Sequence, residues 1–511
     1  MASVQIGRHA SLADAATVFP GSEVIGDTTA RFTDIQYDSR EVRPGTLFVA
    51  LRGGDFDGHD FIGQAVERGA TAIVADDRWS GATGLTVPQL RVSNTRSALA
   101  PIAAAFFGHP SRELRVVGIT GTDGKTTTSY IVDHLLRASG HTTGMAGTVA
   151  VRIAGVEDRH ALRQTTQESV ENQRLLRRMA DAGCDVAVLE ATSHGLDLHR
   201  LDDVAFAVGA ITNATHEHLE HHQTIEAYWR AKAILFERLR PDGCAVVNLD
   251  DEGARSVLPF VTTSNLIGYS RLGAHAAHLT AGRVSSDGTG SRFQLRWDGR
   301  ESDIRLPLLG DFNIDNALCA AGVALSLGVP LDGVADGLAT APAPPGRMVS
   351  VDEGQPFSVV VDYAHTPESL TKVLLLLRSL SPAGRLIVLF GSAGDRDPTK
   401  RPIQGQAAAK HADHVIVTSE DPRTEDPDTI IADIAVGARQ AGRQEGTDLE
   451  LIPDRRHAIA RAFQIARPGD TVLLAGKGHE GSIIVGHDKV PWDEEQVARE
   501  ELRVAGFTTP R

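Results

Sequence analysis

Short apolar runs alternate along this chain with stretches whose apolar residues recur at helical spacing. Within the first 110 residues, 46–50 (TLFVA) and 72–74 (AIV) read as strands among helix signals, and the pattern stops at the breaker Gly108-His109-Pro110. From 111 to 345, strand and helix signals follow one another repeatedly, with a short strand signal at 114–117 and buried-strand candidates at 186–189 and 205–208. Unbroken apolar runs of this kind suit strands of a parallel sheet covered on both faces. A polar insertion at 276–306, with Phe293, Leu295 and Trp297 alternating, predicts antiparallel β-structure. The run APAPPG at 341–346 is the best linker. Beyond it, apolar runs at 359–361, 386–390 and 472–474, separated by helical stretches, predict a second doubly wound unit. The fold class is therefore α/β, in three parts: 1–110, 111–345 and 346–511.

Chemistry enters where the strand at 114–117 runs into GITGTDGKTTT (118–128) and a helix pattern follows over 129–139, carried by Ile131, Val132, Leu135 and Leu136. A glycine-rich turn between strand and helix directs backbone N–H groups and the helix N-terminus at an anion. Gly121, Thr122 and Gly124 form the turn, Lys125 supplies a charge for the β- and γ-phosphates, and Thr126 supplies a hydroxyl for Mg²⁺, with Thr127 beside it. The strict phosphate-loop pattern has glycine where this chain has Ile119. The motif predicts nucleoside triphosphate binding.

A net charge of −15 without dense Lys/Arg runs argues against nucleic acid. The three cysteines, Cys184, Cys244 and Cys319, are too widely spaced for a metal pair and read as buried small residues in a reducing compartment. There is no secretory pattern at the N-terminus and no apolar run long enough for a membrane span, so a cytoplasmic protein without membrane insertion is expected.

Ligands of open α/β sheets collect where strands end. The run at 186–189 ends in Glu190-Ala-Thr-Ser-His194, a carboxylate where a metal ligand is expected. The strand near 205–211 ends in TNATHEHLEHH (212–222), which reads equally as a metal site and as a solvated polar loop.

The ordered set of motifs carries the reading further. It comprises DIQYDSREVRPGTLFVALRGGDFDGHD (34–60), GITGTDGKTTT, EATSHGL (190–196), ITNATHEHLEHH (211–222) and YWRAKAILF (228–236). GDFNIDNALCAAG (310–322), PPGRM (344–348), VDYAHTPESL (361–370), FGSAGDRDPTKRP (390–402), EDPRTEDP (420–427) and AGKGHEG (475–481) follow. In this order and spacing the chain resembles the Mur ligase family over nearly its whole length, and within it the members that add the third residue, a diamino acid, to UDP-N-acetylmuramoyl-L-Ala-D-Glu.

The resemblance implies a domain for the uridine nucleotide, a central ATPase sheet and a Rossmann-like C-terminal domain for the amino acid, acting as a monomer in peptidoglycan precursor synthesis. It also implies that ATP phosphorylates the D-Glu carboxylate and that the amino acid attacks the acyl phosphate. By resemblance, Lys125 holds the phosphates, Thr126 and Glu190 bind one Mg²⁺, and His218 binds a second. Lys232 matches the lysine that related ligases carbamylate with CO₂ to make an anionic metal ligand. Asn316, Arg347, Asp362 and His365 fall in motifs that contact adenine and ribose. The nucleotide sugar and peptide fall to Ser39, Arg40, Thr165, Thr166, Thr192 and Arg200.

The same comparison assigns the amino acid to Arg396, Asp421, Arg423, Gly476 and Glu480. Members using meso-diaminopimelate carry Asp-Asn-Pro-Arg, whose arginine clamps the distal carboxylate. This chain keeps Arg423 but has Glu420 and Asp421 before it, and an added negative charge there favours lysine or ornithine unless it is neutralised. The retained arginine tips the expectation to meso-diaminopimelate, the other reading being Arg423 as an ion-pair partner of Asp421 or Asp426. Asp123 in place of Asn, Gln167 in place of Pro, Thr192 in place of Ser, and Leu198 in place of a polar residue depart from the family pattern. Two further readings stand: a folylpolyglutamate or cyanophycin-type ligase, and a catalytically silent nucleotide-binding protein.

Overall fold

The computed structural model describes residues 10–53, 56–81, 85–158, 164–215, 219–287 and 290–508. The chain divides into two compact units. One runs to Val284 and includes Arg292–Leu306 and Asp311–Ala341; the other is formed by Ser285–Ser291, Pro307–Gly310 and the chain from Pro342.

The first unit opens with a five-stranded sheet of β1 (Glu23–Ile25), β2 (Asp34–Gln36), β3 (Thr46–Val49), β4 (Ala70–Asp76) and β5 (Gln89–Val92), in the order β1-β5-β4-β3-β2. Its strands pair in parallel except β1. The helix Thr95–Phe106, capped by the Asn94 side chain, buries Ala98, Leu99, Ile102 and Phe106 against Leu47, Val49 and Val74 of this sheet.

The central sheet contains β6 (Arg115–Thr120), β7 (Thr143–Ala146), β8 (Val151–Ile153), β9 (Val156–Asp158), β10 (Val186–Glu190), β11 (Phe206–Ile211), β12 (Leu239–Asn248) and β13 (Asn265–Ser270). Its order is β9-β8-β7-β10-β6-β11-β12-β13, continued by strands Leu279–Asp287, Gly290–Trp297 and Arg300–Leu306. From β7 to β13 all pairs are parallel. The run predicted at 114–117 extends to Thr120 because Gly118 also fits the core: a Cβ there would lie 2.6 Å from Leu235 Cδ1. Helix α1 (Lys125–Ala138) starts at the lysine, ahead of the apolar spacing that signalled it. Helices α2 (Ser193–Asp197), α3 (Leu219–His222), α4 (Ile225–Glu237) and α5 (Asp311–Ser326) complete what the site needs. With β6 between β10 and β11, the carboxyl ends of all three open on the same edge.

The second unit holds β14 (Val349–Ser350), β15 (Ser358–Asp362), β16 (Leu386–Phe390), β17 (His414–Val417), β18 (Leu449–Leu451) and β19 (Thr471–Ala475), in the order β14-β15-β19-β16-β17-β18. All pairs are parallel except β14 with β15. The three apolar runs of the sequence are its centre; β17 and β18 are short, and their helices rather than their own length hold them. All three cysteines are buried, and burial pushes the Cys244 and Cys319 thiols up to about 11 and about 12. Among the described residues no helix is long and apolar enough to cross a membrane.

Candidate active site

Between β6 and α1 the chain turns through 121–124, and two glycines make the turn possible. Gly121 has φ 153°, and a Cβ on it would lie 1.9 Å from Thr212 Oγ1; Gly124 has φ 85°, and a Cβ on it would lie 2.2 Å from Asn316 Oδ1. The Lys125 ammonium donates to the carbonyls of Gly121 and Thr122, each at 2.8 Å, so its charge lies inside the loop. Thr122 Oγ1 is 2.8 Å from the Tyr228 hydroxyl of α4, and Asp123 N donates to Asn213 Oδ1 at 2.9 Å. Thr127 is half-buried in the first turn of α1. Asn316, buried on α5, donates to Asn313 and accepts from Thr128, which packs it against the loop.

Glu190, at the end of β10, is 2% exposed. Its carboxylate accepts from Thr126 Oγ1 at 3.1 Å, Thr148 Oγ1 at 2.9 Å and Thr148 N at 3.0 Å. These donors are neutral, and among the described residues no cationic side chain pairs with it. A buried carboxylate leaves a strong demand for positive charge. A hydroxyl and a carboxylate side by side form the oxygen donor set that Mg²⁺ takes. His218 lies outside the described residues. Lys232, on α4, is 1% exposed, with Nζ 4.4 Å over the Tyr228 ring, the same tyrosine whose hydroxyl meets Thr122 of the phosphate loop.

The threonines predicted to face the acceptor join this network. Thr165 Oγ1 is 3.0 Å from Thr148 Oγ1, and Thr166 Oγ1 donates to the Glu190 carbonyl at 2.8 Å. Thr166 also accepts from Thr192 N and Thr192 Oγ1 at 3.0 Å, while Arg200 donates to the Thr166 carbonyl and pairs with Glu168 at 2.9 Å. Glu168 in turn pairs with Arg96 at 3.3 Å, the first turn of the helix that covers the first sheet. Gln167 is buried, and its carbonyl accepts from Asn172 Nδ2 at 2.7 Å. Ser39 and Arg40 stand apart from this cluster. Ser39 Oγ donates to Gln64 Oε1 at 2.6 Å, and the exposed Arg40 pairs with Asp38 at 2.7 Å.

In the second unit, the ends of β15, β16, β17 and β19 bring the remaining predicted residues together. Asp362 is buried with both oxygens engaged, by Met348 N at 2.9 Å and Ala364 N at 2.8 Å; burial raises its pKa and Arg347 opposes this. Arg347 lies 4.6 Å over the Tyr363 ring, and His365 Nδ1 is 2.9 Å from the Tyr363 carbonyl. The loop bearing the exposed Arg396 is stapled to the Arg423 loop by Gly394 N to Asp421 O at 2.8 Å and Thr424 Oγ1 to Asp395 Oδ1 at 2.7 Å. Lys477, fully buried, donates to Asp421 at 2.8 Å and Glu480 at 2.6 Å. Asp421 is thus neutralised by Lys477, not by Arg423, and Asp426 caps the helix Pro427–Gln440. Among the described residues no carboxylate lies within ion-pair distance of Arg423, though, after the Thr424 hydrogen bonds, its charge helps to lower the Asp395 pKa, and its backbone (φ 51°) is fixed by Ile484 and Gly486.

Gly476 has φ 102°, and a Cβ there would lie 2.8 Å from Glu420 Oε2. Burial, opposed by Lys477 and reinforced by Glu480, pushes the Glu420 carboxyl up to about 7. Its folded pKa is above its unfolded value, so wild-type stability falls as pH rises from about 4.5 to 7 and stays lowered above that. Glu420→Gln is therefore expected to unfold later than wild type in urea at pH 8, with that advantage gone at pH 4. An equal offset at both pH values would sink the assignment.

Three residues here escaped sequence reading. Thr148 carries no pattern of its own, and Tyr228, though it opens the quoted motif at 228–236, had no role there; both are recruited by the fold. Lys477 lies inside a quoted motif, where its burial between two carboxylates is invisible until β17 and β19 are placed in one sheet.

Three family models match the chain: the Mur ligase family, catalytic domain, over residues 31–107; the Mur ligase middle domain over 119–324; and the Mur ligase, glutamate ligase domain over 346–478. The UDP-N-acetylmuramyl-tripeptide synthetase of Roseiflexus sp. (strain RS-1) is 49% identical over 486 residues, covering 93% of this chain and 95% of that protein. The UDP-N-acetylmuramoyl-L-alanyl-D-glutamate–2,6-diaminopimelate ligase of Solibacter usitatus (strain Ellin6076) is 41% identical over 93% of this chain and 94% of its own length. A solved structure of a UDP-N-acetylmuramoyl-L-alanyl-D-glutamate–2,6-diaminopimelate ligase superposes with a TM-score of 0.67 at 30% identity, covering 98% of this chain and 100% of that one. The fold alone is shared with the MurF ligase from Thermotoga maritima in complex with ADP, at a TM-score of 0.58 and 20% identity over 92% and 96% of the two chains. With matches over most of its length, the chain belongs to the Mur ligase family.

Proposed function

We propose that the protein is an ATP-dependent ligase that adds meso-diaminopimelate to the D-Glu carboxylate of UDP-N-acetylmuramoyl-L-Ala-D-Glu. The observation that carries this reading is the sharing of Glu190 between two sets of residues. Its side chain faces Thr126 of the phosphate loop, while its carbonyl holds Thr166 and, through it, Thr192 and Arg200. One buried residue thereby ties a triphosphate cradle to a polar cluster suited to an anionic acceptor. The three-part division at about 110 and 345 is retained as part of the proposal.

In the first step the acceptor carboxylate attacks the γ-phosphorus, the bond to the ADP oxygen breaks, and an acyl phosphate forms. Two anions approach one another, so the Lys125 charge and the loop N–H groups lower the barrier by stabilising the transferred group. Thr126, Glu190, His218 and Lys232 as its carbamate would hold Mg²⁺, which supplies further positive charge at the phosphate oxygens. In the second step the amine adds to the acyl carbon, loses a proton, and phosphate leaves. Asn316, Arg347, Asp362 and His365 serve the adenosine, and Ser39 and Arg40 the uridine nucleotide.

The choice of amino acid rests on Arg423. Lys477 already compensates Asp421, and Arg423, coupled to Asp395 only through space, keeps a guanidinium with no direct ion pair among the described residues, suited to the second carboxylate of diaminopimelate. Arg396 then faces the α-carboxylate, and Glu480 and Gly476 the amine.

The test is phosphate release from ATP with the UDP-muramoyl dipeptide and Mg²⁺, offering meso-diaminopimelate, L-lysine, L-ornithine and D-lysine singly. Release dependent on diaminopimelate is expected, and Arg423→Lys should raise its KM at least about tenfold while that of ATP stays put. Release with lysine or ornithine instead would overturn the clamp, and silence with all four would overturn the ligase.

A further inference from the structure

Outside the groups assigned above, one cluster of metal-ligating side chains stands out on the rim of the central sheet. Helices α2 and α3 follow the carboxyl ends of β10 and β11, the strands that flank β6. Asp197 ends α2, and His221 and His222 end α3. His221 Nε2 lies 2.8 Å from Asp197 Oδ2, and one ligand atom from each of Asp197, His221 and His222 lies within 4.8 Å of the other two. The His194 ring centroid is 4.3 Å from that of His221 and 5.4 Å from that of His222, which are themselves 4.7 Å apart.

Beside the hydrogen-bonded pair of His221 and Asp197, a second and a third imidazole converge on the same place. His222 is buried, at 7% exposure, and packs 5.4 Å from the Tyr228 ring, so it presents a fixed ligand. The Asp197 and His221 side chains are 45% and 30% exposed, which leaves the ion a path from solvent. We propose that Asp197, His221 and His222 form a binding site for a borderline transition-metal ion of the Zn²⁺ class, made of other residues than the set of Thr126, Glu190, His218 and Lys232 proposed above for Mg²⁺.

Ligand chemistry sets the selectivity. Two imidazoles and one carboxylate are a donor set for Zn²⁺, Co²⁺ or Ni²⁺, with a further position for water, whereas Mg²⁺ prefers oxygen throughout. Metal–ligand bonds of about 2.0–2.2 Å hold ligand atoms about 3.3 Å apart, so the hydrogen-bonded His221–Asp197 pair opens slightly around the ion, a movement that side-chain rotation at the ends of two short helices supplies. The bound ion clips α2 to α3. Because α2 is continuous with Thr192 and Glu190, that clip restrains the segment carrying the acceptor-facing hydroxyl.

The experiment is calorimetric titration of the untagged full-length protein with Zn²⁺ in excess Mg²⁺, paralleled by Co²⁺ binding followed by its visible absorption. One equivalent should bind, with Co²⁺ giving the intense bands of a low-coordinate nitrogen-ligated site. His221→Phe and Asp197→Asn should each weaken binding at least about tenfold, while circular dichroism stays that of wild type. Absence of a stoichiometric Zn²⁺ site would overturn the proposal, as would a site of unchanged affinity in both variants. Loss in His221→Phe alone would remove Asp197 and overturn the three-ligand assignment.

Discussion

Lys232→Ala is expected to lower turnover by about 10³-fold and to recover part of it when acetate or another small carboxylate is added. The side chain is almost wholly buried on α4, and Nζ rests on the ring of Tyr228, whose hydroxyl reaches Thr122. Two roles fit that position. As a carbamate, Lys232 brings an anion to the metal and phosphate groups, and an added carboxylate can replace that anion in the space the alanine leaves. As a packing cation, it only steadies Tyr228 and hence the loop, and no small anion restores that. Steady-state phosphate release in the presence and absence of acetate separates the two. Activity within about threefold of wild type, or a loss that no carboxylate relieves, would sink the anionic role.

Lys125→Met should cost about 10²–10³-fold in kcat while the KM for the UDP-muramoyl dipeptide changes little. Both hydrogen bonds of its ammonium go to carbonyls of the loop it serves, Gly121 and Thr122. They hold the charge in place without neutralising it, as a carboxylate partner would. Methionine keeps the length and apolar stem, so the fold of 121–124, fixed by the two glycines, should survive. The check is single-turnover acyl phosphate formation, with the thermal midpoint measured alongside. An undiminished rate at an unchanged midpoint would exclude Lys125 from phosphoryl transfer.

Local pattern was enough wherever local physics decides. The phosphate loop was legible because φ above zero at Gly124 and close approach at Gly121 demand glycine, and because Lys125 follows them directly. Strands β6, β10, β16 and β19 were legible as apolar runs, since both their faces are covered. β7 was not, since Thr143-Gly144-Met145-Ala146 has no apolar run and is a strand only because β10 and β8 pair with it. The family resemblance marked Thr165, Thr166, Thr192 and Arg200. Their common attachment to Glu190 is tertiary. The pairing of Asp421 is the clearest case of what sequence withholds. Its nearest basic neighbour along the chain is Arg423, yet its partner is Lys477, brought beside it by the order of the sheet. Charge compensation inside a core follows spatial order, and no reading of nearby residues recovers it.

The doubly shared carboxylate of Glu168 makes the two sheets of the first unit epistatic. It is buried and answers both Arg96, over the first sheet, and Arg200, in the cluster around Thr166. Removing one arginine leaves Glu168 to the other, whereas removing both leaves an uncompensated buried charge worth about 3–5 kcal/mol. A lineage can therefore lose either arginine while the other remains, but both only after position 168 has also changed. Covariation among these three positions would record the two sheets of the unit diverging as one piece.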